Sequence, residues 1–177
     1  MRKVLLLVAV LLTFITLAAA QKDKSQRPSP PAQAQCKLPD GKTITVDYSS
    51  PRAKGRKIFG GLVPYGEIWR TGANEATTFV TDANLTVGKL TVPAGSYTIF
   101  TIPNPDKWTL IINKKTGEWG IPYKYEADEL GRVDMKVSAT PAPVENFTIV
   151  FGQVSNTCQL TLSWESTQAS VGIVEKK

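Results

Sequence analysis

The sequence contains no histidine and only two cysteines. Without histidine, neither Ser-His-Asp nor Cys-His catalysis can be assembled, and hydrolytic metal sites built on imidazole are closed as well. Two cysteines alone cannot make the usual zinc site, and no cofactor is implied. Amphipathic runs with three-and-four spacing are scarce, because Gly, Pro and Thr interrupt them, which argues against a helical domain. The stretch G-G-L-V-P-Y-G at 60–66 lacks the strand-to-helix setting and the lysine of a phosphate-binding loop. The formal charge is +6, but the basic residues are scattered, so the excess speaks for solubility and gives no nucleic-acid footprint.

The one long apolar run lies at the start. Arg2 and Lys3, the apolar residues 4–17 and the small residues Ala18, Ala19 and Ala20 together read as a secretory signal over 1–20, cleaved near Gln21. The run is shorter than the roughly 18 to 20 residues of a spanning helix and no basic stop follows it, so no membrane anchor is expected after cleavage. Gln21 stands where a lipoprotein would carry its cysteine. A periplasmic or secreted destination follows, and in such a compartment Cys36 and Cys158 are expected to pair. Residues 21–35 are rich in Gln, Lys, Ser, Pro and Ala and read as a disordered Pro/Gln-rich linker. Residues 36–177 remain as a single domain.

Within that domain, alternation of period two recurs. Ile44, Val46 and Tyr48 alternate with Thr and Asp, and the same pattern returns over 85–92, 96–102, 108–113, 132–137, 147–152 and 159–164. Turn residues 93–95 and 103–106 join the second, third and fourth of these runs, which predicts an antiparallel meander. A short helical turn is expected at 125–130. Many short strands without a long helix predict an all-β fold, an antiparallel β-sandwich of jelly-roll-like kind, with a closed β-barrel as the alternative.

Residues 51–78 break the alternation, mixing glycines, aromatics and charges in one long excursion between strands. Here G-R-K-I-F-G-G-L-V-P-Y-G-E-I-W-R-T-G-A-N-E-A-T resembles the signature of the bacterial domain of unknown function 2911 family. The resemblance continues through P-A-G-S-Y-T-I-F-T-I-P and W-T-L-I-I-N-K to L-T-L-S-W-E, nearly the whole domain. It implies a shared fold and a setting among exported or periplasmic proteins of Bacteroidetes-like bacteria. The family has no assigned activity, so no catalytic residue is carried over; what the resemblance singles out is residues 55–77.

Trp69, Arg70, Asn74 and Glu75 of that signature offer a flat apolar face, a planar cation, an amide and a carboxylate, a set suited to a glycan or a peptide terminus. Tyr65 in the adjoining turn and Lys57, beside Arg56 and the apolar Ile58 and Phe59, extend the candidate ligand-binding set. A purely structural account stands beside it: Trp69 plugs the core, Arg70 pairs with Glu75, and Asn74 caps a turn. Trp119, Tyr123 and Tyr125 form a second aromatic group, either a stacking platform or a seal at one end of the sandwich. Glycoside hydrolysis needs only two carboxylates, for which Glu75 and Glu118 are candidates. Glu126, Asp128 and Glu129 cluster without the pattern of a calcium loop. The function expected is non-catalytic ligand binding or a structural role, with a carboxylate-dependent hydrolase acting on glycans as the alternative.

Overall fold

The computed structural model describes residues 23–177; the expected signal peptide at 1–20 and the first two residues of the linker lie outside them. The fold is all-β. Among the described residues nine strands, β1 (Pro31–Lys37), β2 (Thr43–Ser49), β3 (Thr77–Thr81), β4 (Leu85–Val87), β5 (Leu90–Val92), β6 (Gly95–Ile102), β7 (Lys107–Asn113), β8 (Glu129–Val154) and β9 (Thr157–Glu175), form one antiparallel sheet. Its order is β1-β2-β3-β6-β7-β8-β9-β4-β5, with β1 and β5 as its ends, so it does not close into a barrel.

The sheet becomes a sandwich because β8 and β9 run through both layers. Residues 129–136 of β8 pair with β7, and 136–139 pair with 167–170 of β9. Beyond two register shifts, at 139–144 and 144–148, residues 148–154 pair with 157–163 and turn toward β1. Pro141 and Pro143 occupy the first shift; neither can donate a ladder hydrogen bond, so the strand bends where they stand. The distal limb is tied back to the first layer by the Cys36–Cys158 disulfide and by Ala53 N–H donating to the Glu145 carbonyl (2.8 Å) and Phe147 N–H to that of Pro51 (2.8 Å).

Inward residues of both layers meet in one core containing Ile44, Val46, Phe79, Ile99, Leu110, Met135, Leu160 and Leu162, all at most 1 % exposed. At one end of the core five aromatic rings interlock. Trp69 stacks on Trp164 (5.9 Å between centroids, 19° between planes) and meets Phe147 edge-on (4.8 Å), while Phe59 sits edge-on to Trp108 (4.7 Å). Such packing adds about 0.5 to 1.5 kcal/mol per pair beyond area burial.

Three features depart from the sequence reading. The linker read over 21–35 gives way at Pro31, because residues 31–35 already belong to β1, where Ala34 and Cys36 face inward and Gln33, Gln35 and Lys37 outward. The run 85–92 is two short strands folded at Gly88, and β5 pairs with β4 and not with β6, so the meander holds only for β6 and β7. β3 replaces apolar inward residues with Thr77 and Thr81, both buried, which hid it from a hydrophobicity pattern. The expected helical turn is a single 3-10 turn at Glu126–Asp128.

Two measurements follow. The disulfide links residues 122 apart in sequence, so Cys36→Ala with Cys158→Ala should lower the unfolding free energy by about 2 to 4 kcal/mol; an unchanged urea midpoint would contradict a constraining bond. Among the described residues Trp108 Nε1 is buried without a partner, whereas Trp164 Nε1 donates to the Glu145 carbonyl (3.1 Å). Trp164→Phe should therefore cost about 1 kcal/mol more than Trp108→Phe in the same urea titration.

Candidate functional site

The excursion between β2 and β3 folds into consecutive turns. Leu62 N–H donates to the Lys57 carbonyl (3.1 Å) and Val63 N–H to that of Ile58 (2.9 Å), closing a compact knot over 57–63. Ile58 N–H also donates to a Glu165 carboxylate oxygen (3.0 Å) on β9. Gly60 has φ +74°, and a Cβ there would lie 2.6 Å from Tyr65 Cε2, so only glycine lets the Tyr65 ring lie across it. Trp69 then pairs with Thr101 of β6 through two backbone hydrogen bonds (2.8 and 2.9 Å), an isolated antiparallel bridge.

After Trp69 the chain turns sharply, with Thr71 and Asn74 at φ +57° and +58°. Thr71 is held in the interior by Thr77 Oγ1, which donates to its carbonyl (2.7 Å), and by the Thr101 hydroxyl (3.1 Å). Asn is among the residues that tolerate a left-handed backbone best. Its amide Nδ2 donates to the Ser29 carbonyl (3.0 Å). Glu75, the next residue, accepts two hydrogen bonds from Arg27 Nη1 (2.8 and 3.0 Å) and lies 3.3 Å from Lys24 Nζ. The pairing of Arg70 with Glu75 entertained from sequence is therefore replaced by pairing with residues 24 and 27, which sequence assigned to a linker.

Arg70 faces the other way. Its Nη1 donates to the carbonyls of Asn74 and Trp119 (3.2 Å for the latter), and its guanidinium carbon lies 5.1 Å from the centre of the Trp119 ring, a cation–π contact. Gly120 makes this approach feasible: a Cβ there would come within 2.9 Å of Ala76 Cβ and 3.0 Å of Phe100. Burial pulls the Arg70 pKa below its ordinary value, and among the described residues no carboxylate forms an ion pair with it.

Trp69, Arg70 and Asn74 line one open groove of about 350 Å³, together with Leu62, Val63, Pro64, Glu67, Ile68, Trp119, Ile121 and Trp164. Three of the large apolar side chains most exposed among the described residues, Leu62 (48 %), Trp119 (55 %) and Ile121 (37 %), are gathered at this groove. The other candidate residues are not part of it. Tyr65 covers Gly60 and borders a separate hollow, Lys57 is exposed, and Glu75 lines a neighbouring cavity of about 390 Å³ with Glu118. The second aromatic group also divides. Tyr123 and Tyr125 pack on Phe100 (4.8 and 6.1 Å), while Trp119 joins Arg70. Burial and the hydrogen bond to Glu129 push the Tyr123 phenol up.

Glu129 accepts two hydrogen bonds of 2.8 Å from Arg132. Among the described residues no group of three His, Cys, Asp or Glu is arranged to hold a metal ion.

Comparison with known proteins bears on the loop that builds this groove. A family profile described as protein of unknown function (DUF2911) matches residues 29–173. The chain belongs to this family. The match takes in β1 and the whole excursion, in agreement with the structural start of the domain. Searches of curated proteins and of solved structures return no match.

Glu75 supplies a pH test of the docked N-terminal segment. Its own backbone N–H, then Arg27 and Lys24, hold its carboxyl at about 2, below the ordinary 4.5. A depressed folded pKa contributes stability that is present above about 4.5 and is lost as pH falls toward about 2. Because the side chain is 41 % exposed, screening limits the contribution to about 1 kcal/mol. Glu75→Gln should speed tryptic cleavage after Lys24 at pH 8 and lower stability at pH 7, with the stability gap to the parent closing between pH 4.5 and 2. A gap that stays constant across that window would contradict the pairing.

Proposed function

We propose that the protein is an exported, periplasmic or secreted binding protein that holds a glycan or a peptide in the groove between Trp69 and Trp119, without catalysing a reaction on it. One observation carries the reading: exposed apolar side chains converge on a concave site that also contains a half-buried cation. Isolated exposed apolar residues need no explanation, but their gathering around a groove of ligand size does. The signal-like start and the Cys36–Cys158 disulfide support export. Among the described residues no helix is long and apolar enough to cross a membrane.

A carboxylate-dependent hydrolase acting on glycans is the second reading, favoured by Glu75 and Glu118 lining one cavity. Such chemistry needs one acid that keeps its proton near neutrality, and Glu75, held at about 2, is not that acid. The two readings place the ligand in different cavities, which separates them experimentally. Binding in the groove should quench Trp119 fluorescence and raise the melting temperature, and Trp119→Ala should weaken it about tenfold or more with the fold intact. Hydrolysis of glycans that is abolished by Glu118→Gln and untouched by Trp119→Ala would instead establish the enzyme.

A further inference from the structure

Among the charged groups of the groove, Arg70 is placed as a receptor for an anion. Its Nη1 is committed to two main-chain carbonyls, which fixes the plane of the guanidinium. Among the described residues its Nε and Nη2 make no hydrogen bond, and neither atom is sealed from solvent. The fork that remains matches the two oxygens of a carboxylate. Arg27 and Arg132 already have that partner in Glu75 and Glu129. Glu67 also lines the groove but is exposed and, among the described residues, makes no ion pair.

The rest of the lining selects what is attached to that carboxylate. Leu62, Ile68, Trp119 and Ile121 present apolar surface, and Asn74 donates one of its amide hydrogens to the Ser29 carbonyl. A sugar ring in this setting would lose hydroxyl hydrogen bonds to water and find few replacements. An apolar side chain loses nothing comparable. The volume of about 350 Å³ is at the small end for ligand pockets, and the rim formed by half-exposed Leu62 and Trp119 is open, so a longer chain can leave toward solvent.

We infer that the groove captures the free C-terminus of a peptide ending in an apolar residue, its carboxylate on the open edge of Arg70 and its terminal side chain against Trp119 and Leu62. This rests on the groove being the binding site proposed above, and it narrows the two ligand classes to one. Capture of a terminal carboxylate by a pre-oriented donor set is an established mode of peptide recognition.

The test is calorimetric and fluorescence titration of the purified protein with acetylated tripeptides ending in Leu, Phe or Ala, each as the free acid and as the C-terminal amide, with octanoate and chitotetraose alongside. The free acids should bind and the amides should bind at least tenfold more weakly, a contrast that leaves the protein itself unaltered. Arg70→Lys should weaken the acids at least tenfold and leave the amides unchanged, with the melting temperature of each form recorded to verify folding. Equal affinity for acid and amide overturns the carboxylate, and octanoate binding more tightly than every peptide overturns the peptide. Chitotetraose quenching Trp119 while no peptide binds overturns this inference and leaves the groove as a glycan site. No response to any probe sinks both this inference and the binding function it rests on.

Discussion

Trp69 is the point at which the long excursion becomes part of the fold. Its indole lies parallel to that of Trp164 on β9 and edge-on to Phe147 on β8, while its backbone is paired to Thr101 on β6. One residue thereby joins the two layers of the sandwich to the loop that carries it. Its indole N–H is turned back onto the Gly72 carbonyl (3.0 Å), so the polar atom of the ring is satisfied by the same turn that the ring anchors. A loop pinned near its middle by a partly buried aromatic packed on the core has little freedom on either side, and side chains on those flanks are held at fixed positions relative to the sheet.

The flanks point in opposite directions because of that pin. Before Trp69, residues 57–66 coil into a knot whose apolar members Ile58, Phe59 and Val63 close the core, leaving Leu62 and Pro64 at the groove. After it, the left-handed residues Thr71 and Asn74 reverse the chain twice within four positions. A purely structural account of Trp69 and a binding account of its neighbours are therefore compatible. The indole packs against the core, and by packing there it fixes the guanidinium that follows.

Much of this was legible in the sequence wherever a strand buried large side chains on alternate positions. β2, β6, β7 and the early part of β9 have Ile44, Val46, Ile99, Leu110, Leu160 and Leu162 as inward residues, and their alternation was plain. β1 was missed because its inward residues are Ala34 and Cys36, small groups lying where the distal limb of β8 and β9 comes close. β3 was missed because its inward polar residues, Thr77 and Thr81, are satisfied by the Thr71 and Ala83 carbonyls (2.7 and 2.9 Å), an arrangement that hydropathy does not register. The excursion was marked as unusual by its own composition and by family resemblance. What no local pattern carried was the partition of its polar residues, since the partners of Glu75 are 48 and 51 positions away in a segment whose composition reads as solvated chain.

That partition has an electrostatic consequence. Arg70 and Glu75 are five residues apart in a loop and of opposite charge, and mutual pairing would have neutralised both. Asn74, at φ +58°, stands between them, and the chain leaves it with Glu75 directed to the N-terminal segment. Glu75 is then neutralised by Arg27 and Lys24 together, more positive charge than it needs, while Arg70, among the described residues, has carbonyl oxygens and the Trp119 ring as partners and no carboxylate paired with it. Carbonyl dipoles stabilise a half-buried guanidinium without cancelling its charge. An uncancelled charge in low-dielectric surroundings attracts a counter-ion more strongly than the same charge in water, so an N-terminal segment docked on the far face of the loop is what leaves a positive site on the near one.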